Sequence, residues 1–139
     1  MDINKILSEK EDKINFLKGL IRLSKCDGIN DDSEIVFYHH VANSLGLSIE
    51  DLVHINDAWE REYSSIEIVF TNSTAKMFFF IEAIQLCWMD GEYQAVEKQE
   101  VRLMAQALNI SEAAIQRVEL WVEEGMAWNK RGEELLDLQ

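Results

Sequence analysis

The chain has 139 residues, which suits one domain with one core, and its 47% hydrophobic and 28% charged residues are typical of a globular protein. Its formal net charge of −13, from 26 acidic and 13 basic residues, argues against nucleic-acid binding because a phosphate backbone would be repelled. The same charge favours cations and basic protein partners. Proline is absent and glycine is scarce, which favours long helices over turn-rich β architecture.

The cysteines and the apolar stretches indicate where the protein resides. Cys26 and Cys87 fit a cytoplasmic protein with reduced thiols, and residues 1–5 lack the basic start and the apolar run of a secretory leader. The most apolar stretch, residues 77–89, is too short to cross a bilayer and contains Glu82 and Gln85. We therefore expect a cytoplasmic protein without a membrane span.

Apolar residues at helical spacing define the predicted elements of the first half. A short leading helix precedes helices predicted over residues 12–26, 31–45 and 48–59. The first of these ends at Asp27-Gly28 and the second at Gly46, because glycine tolerates the left-handed conformation that closes helices. The first half is therefore predicted to be entirely helical.

A linker separates this half from the second one. The apolar residues within 63–73 do not follow helical spacing; they recur at alternate positions as in a short extended segment. These alternating residues are Ile66, Ile68 and Phe70. The helix that follows, up to about residue 89, is apolar on nearly every side, which is typical of the centre of a bundle. Further helices are predicted over residues 95–108, 111–126 and 130–138.

One segment occurs twice, sixty-three positions apart. Each copy has an apolar run, an Asp-Gly turn, a glutamate seven residues after the aspartate, and a Leu-x-apolar-Ser stop. The first copy carries Asp27-Gly28, Glu34 and Leu45-Gly46-Leu47-Ser48. The second copy carries Asp90-Gly91, Glu97 and Leu108-Asn109-Ile110-Ser111. The duplication predicts an all-α helical bundle built from two related three-helix units.

The predicted organisation is one domain over residues 1–139. Repeat one spans about residues 12–62, the linker about 63–73 and repeat two about 74–128, followed by a short C-terminal helix over about 130–138. Neither a second domain nor a low-complexity region is expected.

Four duplicated acids form the candidate site, namely Asp27, Glu34, Asp90 and Glu97. If the halves pack about a pseudo-twofold axis, the four carboxylates converge, and clustered carboxylates need a cation or strong donors to persist. Oxygen ligands suit Ca²⁺, Mg²⁺ or Mn²⁺, with Zn²⁺ less favoured. Supplementary ligands are available at Asp31, Asp32 and Glu92.

Helix capping is the structural alternative for the same acids. An Asp-Gly pair is an ordinary helix end, and an acid in a first helical turn interacts favourably with the helix dipole. A capping box with Asp31 accounts for Glu34 without a metal. For Glu97 the equivalent cap is Gln94, which is a poor N-cap, so capping explains Glu97 less well.

Catalytic patterns are missing from the sequence. His39 and His40 are adjacent, so they cannot share a helix face as a His-Glu-x-x-His zinc motif requires. There is no Gly-rich phosphate loop, and no serine or cysteine has a recognisable base partner. We therefore predict that the protein is not an enzyme. Trp128, near the end of the chain, is a candidate for an oligomer contact such as a homodimer.

The duplicated motif resembles that of the TerB-like family of tellurite-resistance proteins. The pattern is Leu23-x3-Asp27-Gly28-x5-Glu34 with Leu45-Gly46-Leu47-Ser48, repeated between Leu86 and Ser111. A similar module occurs in a membrane-anchored DnaJ-type co-chaperone, and the resemblance covers about residues 14–126. The chain departs from the family pattern at Ile29, where many relatives carry an acid, and at Asn109, which replaces glycine.

The resemblance implies both a fold and a function. The implied fold is a TerB-like helical bundle of two pseudo-symmetric three-helix repeats. The implied site is an acidic cluster for divalent metal, formed by Asp27, Glu34, Asp90 and Glu97. Members are linked with bacterial stress responses, including tellurite resistance, through protein partners in membrane-associated complexes, and no catalysis is implied.

Two hypotheses follow for the function. The first is a non-enzymatic stress-response protein that binds a divalent cation at the duplicated acids. The alternative is a protein-interaction or homodimerisation module without metal, whose acidic surface docks a basic partner.

Overall fold

A computed structural model describes residues 1–26, 28, 32–89 and 92–138 of the chain. All regular structure in these residues is helical, which confirms the predicted all-α class. The helices are α1 (Ile3–Ile6), α2 (Lys10–Lys25), α3 (Asp32–Ser44), α4 (Leu52–Glu60), α5 (Ser73–Met89), α6 (Ala95–Ala107) and α7 (Glu112–Glu134), with 3₁₀ turns at Tyr63–Ser65 and Leu135–Asp137. No helix among them combines the length and the apolarity that a bilayer crossing demands.

The last helix is longer than predicted. We expected a break between a helix ending near residue 126 and a short helix over residues 130–138, whereas α7 continues to Glu134 before the turn Leu135–Asp137. No proline interrupts this segment. Gly125 and Gly132 each cost roughly 1 kcal/mol of helix propensity, which is too little to end a helix that is already propagating.

The helices of the two sequence copies have matching bounds. When the bounds of α3 are shifted by the repeat offset of sixty-three positions, they become those of α6. The bounds of α2 and α5 agree to within one residue under the same shift. The nine residues of α4 correspond to residues 115–123, which lie inside α7. The third helix of the second copy is therefore longer than that of the first.

The second helix of each copy ends in the same hydrogen-bonded turn. Gly46 and Asn109 are left-handed, with φ of 77° and 59°. In each copy this residue donates its N–H to the carbonyl three residues earlier, at 3.0 Å after α3 and 3.2 Å after α6. The next residue donates to the carbonyl five residues earlier, at 3.1 and 2.8 Å respectively. This is the Schellman motif, and it shows that asparagine serves at the second site as glycine does at the first.

The chain divides into two compact units, Met1–Phe79 and Phe80–Gln139. In the first unit α2, α3 and α4 pack on one another, and aromatic rings of α2 and of the first turns of α5 form a further buried cluster. The ring of Phe16 stacks on Phe78 at a centroid distance of 5.5 Å and meets the edge of Phe79 at 6.3 Å. Gly19 makes room for this cluster, because a Cβ there would lie 2.4 Å from the fully buried Phe79 ring.

The predicted linker is held against α2 by two buried polar side chains. The fully buried carboxylate of Asp12 accepts the N–H of Thr71 at 2.8 Å and its hydroxyl at 2.5 Å. Asn15 accepts the N–H of Val69 at 3.0 Å. The predicted alternation is confirmed here, since Ile66 and Ile68 are buried while Val69 is exposed.

A lysine satisfies the free carbonyls at the end of α4. The ammonium of Lys25 donates to the carbonyls of Ala58 at 3.2 Å and Trp59 at 2.7 Å, and also to that of Arg61. These oxygens have no intrahelical donors, and a cation at the helix C-terminus is favoured by the dipole. Burial lowers the pKa of Lys25 from its ordinary value.

The core of the second unit is mainly aliphatic. Its fully buried side chains come from α5, α6 and α7. They include Phe80, Ile84, Val101, Met104, Ile115 and Val122. The buried face of α7 consists of Ile115, Val118 and Val122, whereas Trp121 is about half exposed and lies outside this face.

Replacing Asp12 by alanine is expected to lower the free energy of unfolding by about 2–3 kcal/mol, because two donors of Thr71 lose a charged acceptor. Urea denaturation followed by circular dichroism measures this change. Glu11→Ala is the matched control, since the Glu11 side chain is exposed one residue away. Equal stability of the two variants would contradict the anchoring role of Asp12.

Candidate functional site

Two of the four predicted site residues can be located in the structure. Glu34 and Glu97 are described, whereas Asp27 and Asp90 lie outside the described residues, as does Asp31. The structure therefore reports the glutamate half of each predicted acid pair. Glu34 belongs to the first compact unit and Glu97 to the second.

Glu34 lies in the first turn of α3 and is partly buried. Its Oε2 accepts a hydrogen bond from the Ser24 hydroxyl at 3.1 Å. Ser24 belongs to the last turn of α2, so this contact joins the two helices that flank the first Asp-Gly turn. The hydrogen bond thereby holds the Glu34 carboxylate between the end of α2 and the start of α3.

Glu97 occupies the same place in α6 but is more deeply buried, with 8% of its surface exposed. Its Oε1 accepts the backbone N–H of Gln94, the N-cap residue, at 2.8 Å. Our expectation that capping explains Glu97 less well was wrong. A glutamate at this position accepts the backbone N–H of the N-cap residue, so it caps the start of α6 even though glutamine is a weak N-cap residue.

Both glutamates present carboxylate oxygens at a helix start. An ionised carboxylate offers about four lone-pair sites, so a carboxylate that accepts a hydrogen bond can also bind a cation. Two carboxylates alone do not complete a site, and no three Asp, Glu, His or Cys side chains within residues 1–26, 28, 32–89 and 92–138 are grouped for a metal. Of the supplementary acids, Asp32 and Glu92 are exposed. Carboxylate oxygens of this kind fit a hard cation.

The strongest electrostatic cluster in the described part of the chain joins α6 to α7. Arg102 donates from Nη2 to Glu119 Oε1 at 2.7 Å and from Nη1 to Oε2, which makes a bidentate pair. The hydroxyl of Tyr93 donates to the same Oε2 at 2.7 Å. Arg102 also bonds Glu112 at 3.0 Å, at the start of α7.

These contacts shift the pKa values of the cluster in consistent directions. The hydrogen bonds from Arg102 are the main cause that lowers the pKa of Glu119 below 4.5. The same bonds raise the pKa of Arg102. Burial, with the hydrogen bond to Glu119, raises the pKa of Tyr93. At neutral pH the cluster is therefore an ionised pair with a neutral phenol.

The repeat offset relates this cluster to a polar pair in the first copy. Shifted by the repeat offset, Arg102 falls on His39 and Glu119 falls on Asn56. His39 Nε2 lies 2.9 Å from Asn56 Oδ1, so both copies join their second and third helices with a polar pair at equivalent positions. Aligning the copies would have predicted the pairing, because two coinciding polar positions on adjacent helices indicate a contact.

Comparison of the chain with protein-family models, with curated proteins and with solved structures found no match. The TerB-like resemblance stays a prediction that rests on the duplicated motif. What the described residues can do chemically follows from their side chains alone. The carboxylates at the two helix starts can hold a cation or a cationic group, and the cluster around Arg102 fixes α7 on α6.

Replacing Glu119 by glutamine is expected to make the free energy of unfolding less dependent on pH below 4.5. Because the folded-state pKa of Glu119 lies below its ordinary value, its contribution is present above pH 4.5 and is lost as the pH falls through the folded-state value. The variant should be less stable than the original chain at pH 7, and the difference should shrink as the pH falls below 4.5.

Urea denaturation at a series of pH values measures how the free energy of unfolding of each protein depends on pH. Glu123→Gln, an exposed substitution one turn along α7, should follow the original chain throughout. A constant difference between the Glu119 variant and the original chain at all pH values would contradict the assigned role.

Proposed function

We propose that the chain is a non-enzymatic, TerB-like protein of bacterial stress or tellurite resistance that binds a divalent cation through Asp27, Glu34, Asp90 and Glu97. The observation that carries the proposal is the recurrence of one helical hairpin with an acid at the same place. In both copies a glutamate stands in the first turn of a 13-residue helix with matching bounds and receives a hydrogen bond there.

The hydrogen bonds that position the two glutamates support the proposed cation binding. Glu34 is oriented by Ser24 and Glu97 by the backbone of Gln94, so neither carboxylate has to be ordered entirely by the cation. Less side-chain entropy is then lost on binding. In this proposal the aspartate seven residues before each glutamate in the sequence supplies the second carboxylate.

The chemistry of the donors favours a hard cation. Carboxylate oxygens are the ligands that Ca²⁺, Mg²⁺ and Mn²⁺ prefer, and no imidazole or thiolate belongs to the proposed set. The cation would offset the repulsion among carboxylates in a chain with a net charge of −13. Its role in this proposal is to stabilise one arrangement of the two hairpins for protein partners, with the chain in the cytoplasm and the partners in a membrane-associated complex.

Calorimetric titration with Ca²⁺, Mg²⁺, Mn²⁺ and Zn²⁺ tests the proposal. The original chain should bind at least one of the first three more tightly than Zn²⁺, and the variant carrying Asp27→Asn and Asp90→Asn should lose that binding. One cation per chain would indicate a shared site of four carboxylates, and two per chain would indicate separate hairpin sites. Identical titrations of the two proteins would end the cation proposal.

Glu97→Gln separates cation binding from capping. Glutamine also accepts the Gln94 N–H through its amide oxygen, so the start of α6 should survive while the ligand charge is lost. We expect at least about tenfold weaker cation binding, because a charged ligand is removed, with thermal stability close to that of the original chain.

Glu97→Ala is the comparison variant, since it removes both functions and should also lower the free energy of unfolding by about 1 kcal/mol. Unchanged cation binding by Glu97→Gln would assign Glu97 to capping alone.

The second candidate function is an interaction module without metal, whose acidic surface docks a basic partner. The observation that favours it is the capping bond of Glu97, which gives this acid a structural role without a cation. Partners recovered by pull-down in the presence of chelator, and equally with the Asp27→Asn and Asp90→Asn variant, would support it. Loss of these partners under chelation would favour the cation-binding function.

A further inference from the structure

The end of α7 is exposed on all sides. Every residue from 127 to 138 is exposed, including Trp128 at 69%, Leu135 at 65% and Leu136 at 79%. A helix end of this length gains little stability from its own hydrogen bonds in water and normally needs an apolar face packed against something. The rest of the described chain supplies no such packing for these residues.

One side of α7 carries an unpartnered stripe that continues beyond the core-facing side. We name the set Trp121, Gly125, Trp128, Gly132 and Leu135 the aromatic stripe. Its members alternate at spacings of four and three residues, so they lie on one face, and this is the spacing of a seam between two paired helices. All five are exposed. The core-facing residues of α7 lie on a neighbouring face.

The two glycines of the stripe are not required by the packing of the chain itself. A Cβ added at Gly125 or at Gly132 would meet no atom within 4 Å. Glycine inside a helix costs roughly 1 kcal/mol relative to alanine, so two of them on one face of α7 are unfavourable without compensation. A second helix that approaches closely over this face would supply that compensation.

Charged residues on one flank of the stripe repeat at heptad spacing with alternating sign. They are Arg117, Glu124 and Arg131, and all three are exposed. A partner helix that carries the same alternation of charge can match this flank.

We propose that the aromatic stripe is the interface of a homodimer in which the α7 helices of two copies pair antiparallel. In this register Glu124 meets Arg131 of the second copy, and Arg131 meets Glu124 of the second copy. Trp128 lies near the twofold axis, and Trp121 packs on Leu135 of the second copy. In a parallel pair this flank of one helix would face the opposite flank of the partner helix, so these charges would not meet, whereas antiparallel pairing brings the two like flanks together and lets the alternating charges pair.

The proposal does not depend on the cation site. It uses residues of α7 only, and the dimer is expected with or without chelator. Two strongly acidic chains repel at long range, but at an ionic strength of about 0.15 M exposed charges separated by more than about 8 Å are largely screened. Burial of four tryptophan rings, two from each copy, supplies the apolar attraction.

Sedimentation equilibrium of the full chain tests the pairing. The original chain should dimerise with a dissociation constant in the range of about 1–100 μM. Trp128→Ala should weaken dimerisation at least about tenfold, because an aromatic anchor near the axis is removed. Glu123→Arg, an exposed charge reversal on another side of α7, should leave the dimer unchanged. Far-UV circular dichroism verifies that each variant retains its helices.

Charge-reversal variants test whether a second copy of the chain binds the aromatic stripe. Glu124→Arg and Arg131→Glu each place like charges opposite one another in a homodimer, so each variant alone should dimerise at least about tenfold more weakly. When the two variants are mixed, both contacts become Arg–Glu again, so a heterodimer should form with affinity near that of the original chain. The two positions are two turns apart within one helix, so repair inside one chain does not explain such a rescue.

Three results would overturn the proposal. The first is a monomeric original chain at about 100 μM, the weak end of the expected range. The second is a dimer that is insensitive to Trp128→Ala. The third is a failure of the mixed charge variants to associate, which would assign the stripe to a different partner.

Discussion

The left-handed residue that ends the second helix of each copy is the constraint on which much of this structure depends. Gly46 and Asn109 stop α3 and α6 at equivalent positions and turn the chain so that a serine can cap the next helix. Ser111 accepts the N–H of Ala114, and Ser48 accepts that of Asp51. With these ends fixed, the polar positions of the second and third helices face one another in both copies, which sets both His39 with Asn56 and Arg102 with Glu119.

The two copies share this frame but differ in how the third helix ends. In the first copy, Lys25 binds the carbonyls at the end of α4 and the helix stops at Glu60. The equivalent of Lys25 in the second copy is Trp88, whose indole has no cationic head for this purpose. The third helix of the second copy, α7, continues eleven residues past residue 123, which is the position equivalent to Glu60. Three of the five residues of the aromatic stripe lie in this extension, so the second copy has a surface that the first lacks.

The candidate cation site has to be reconciled with helix capping. Glu97 closes the start of α6, and Glu34 receives the hydroxyl of Ser24, so both acids have structural roles. A carboxylate that accepts a hydrogen bond can also bind a cation, and hydrogen bonds that fix its direction favour ligation. Helix capping and the proposed cation binding are therefore compatible.

The sequence by itself determined the helices, the repeat and the turns between them, because these depend on local spacing and on residues such as Gly46, Asn109 and Ser111. It also located the glutamates at the helix starts. Only the tertiary structure decided that Asp12 fastens the linker to α2, that Glu97 caps α6, and that α7 continues past residue 126. Each of these depends on which atoms meet across a turn or between elements, and that choice is set by packing rather than by local preference.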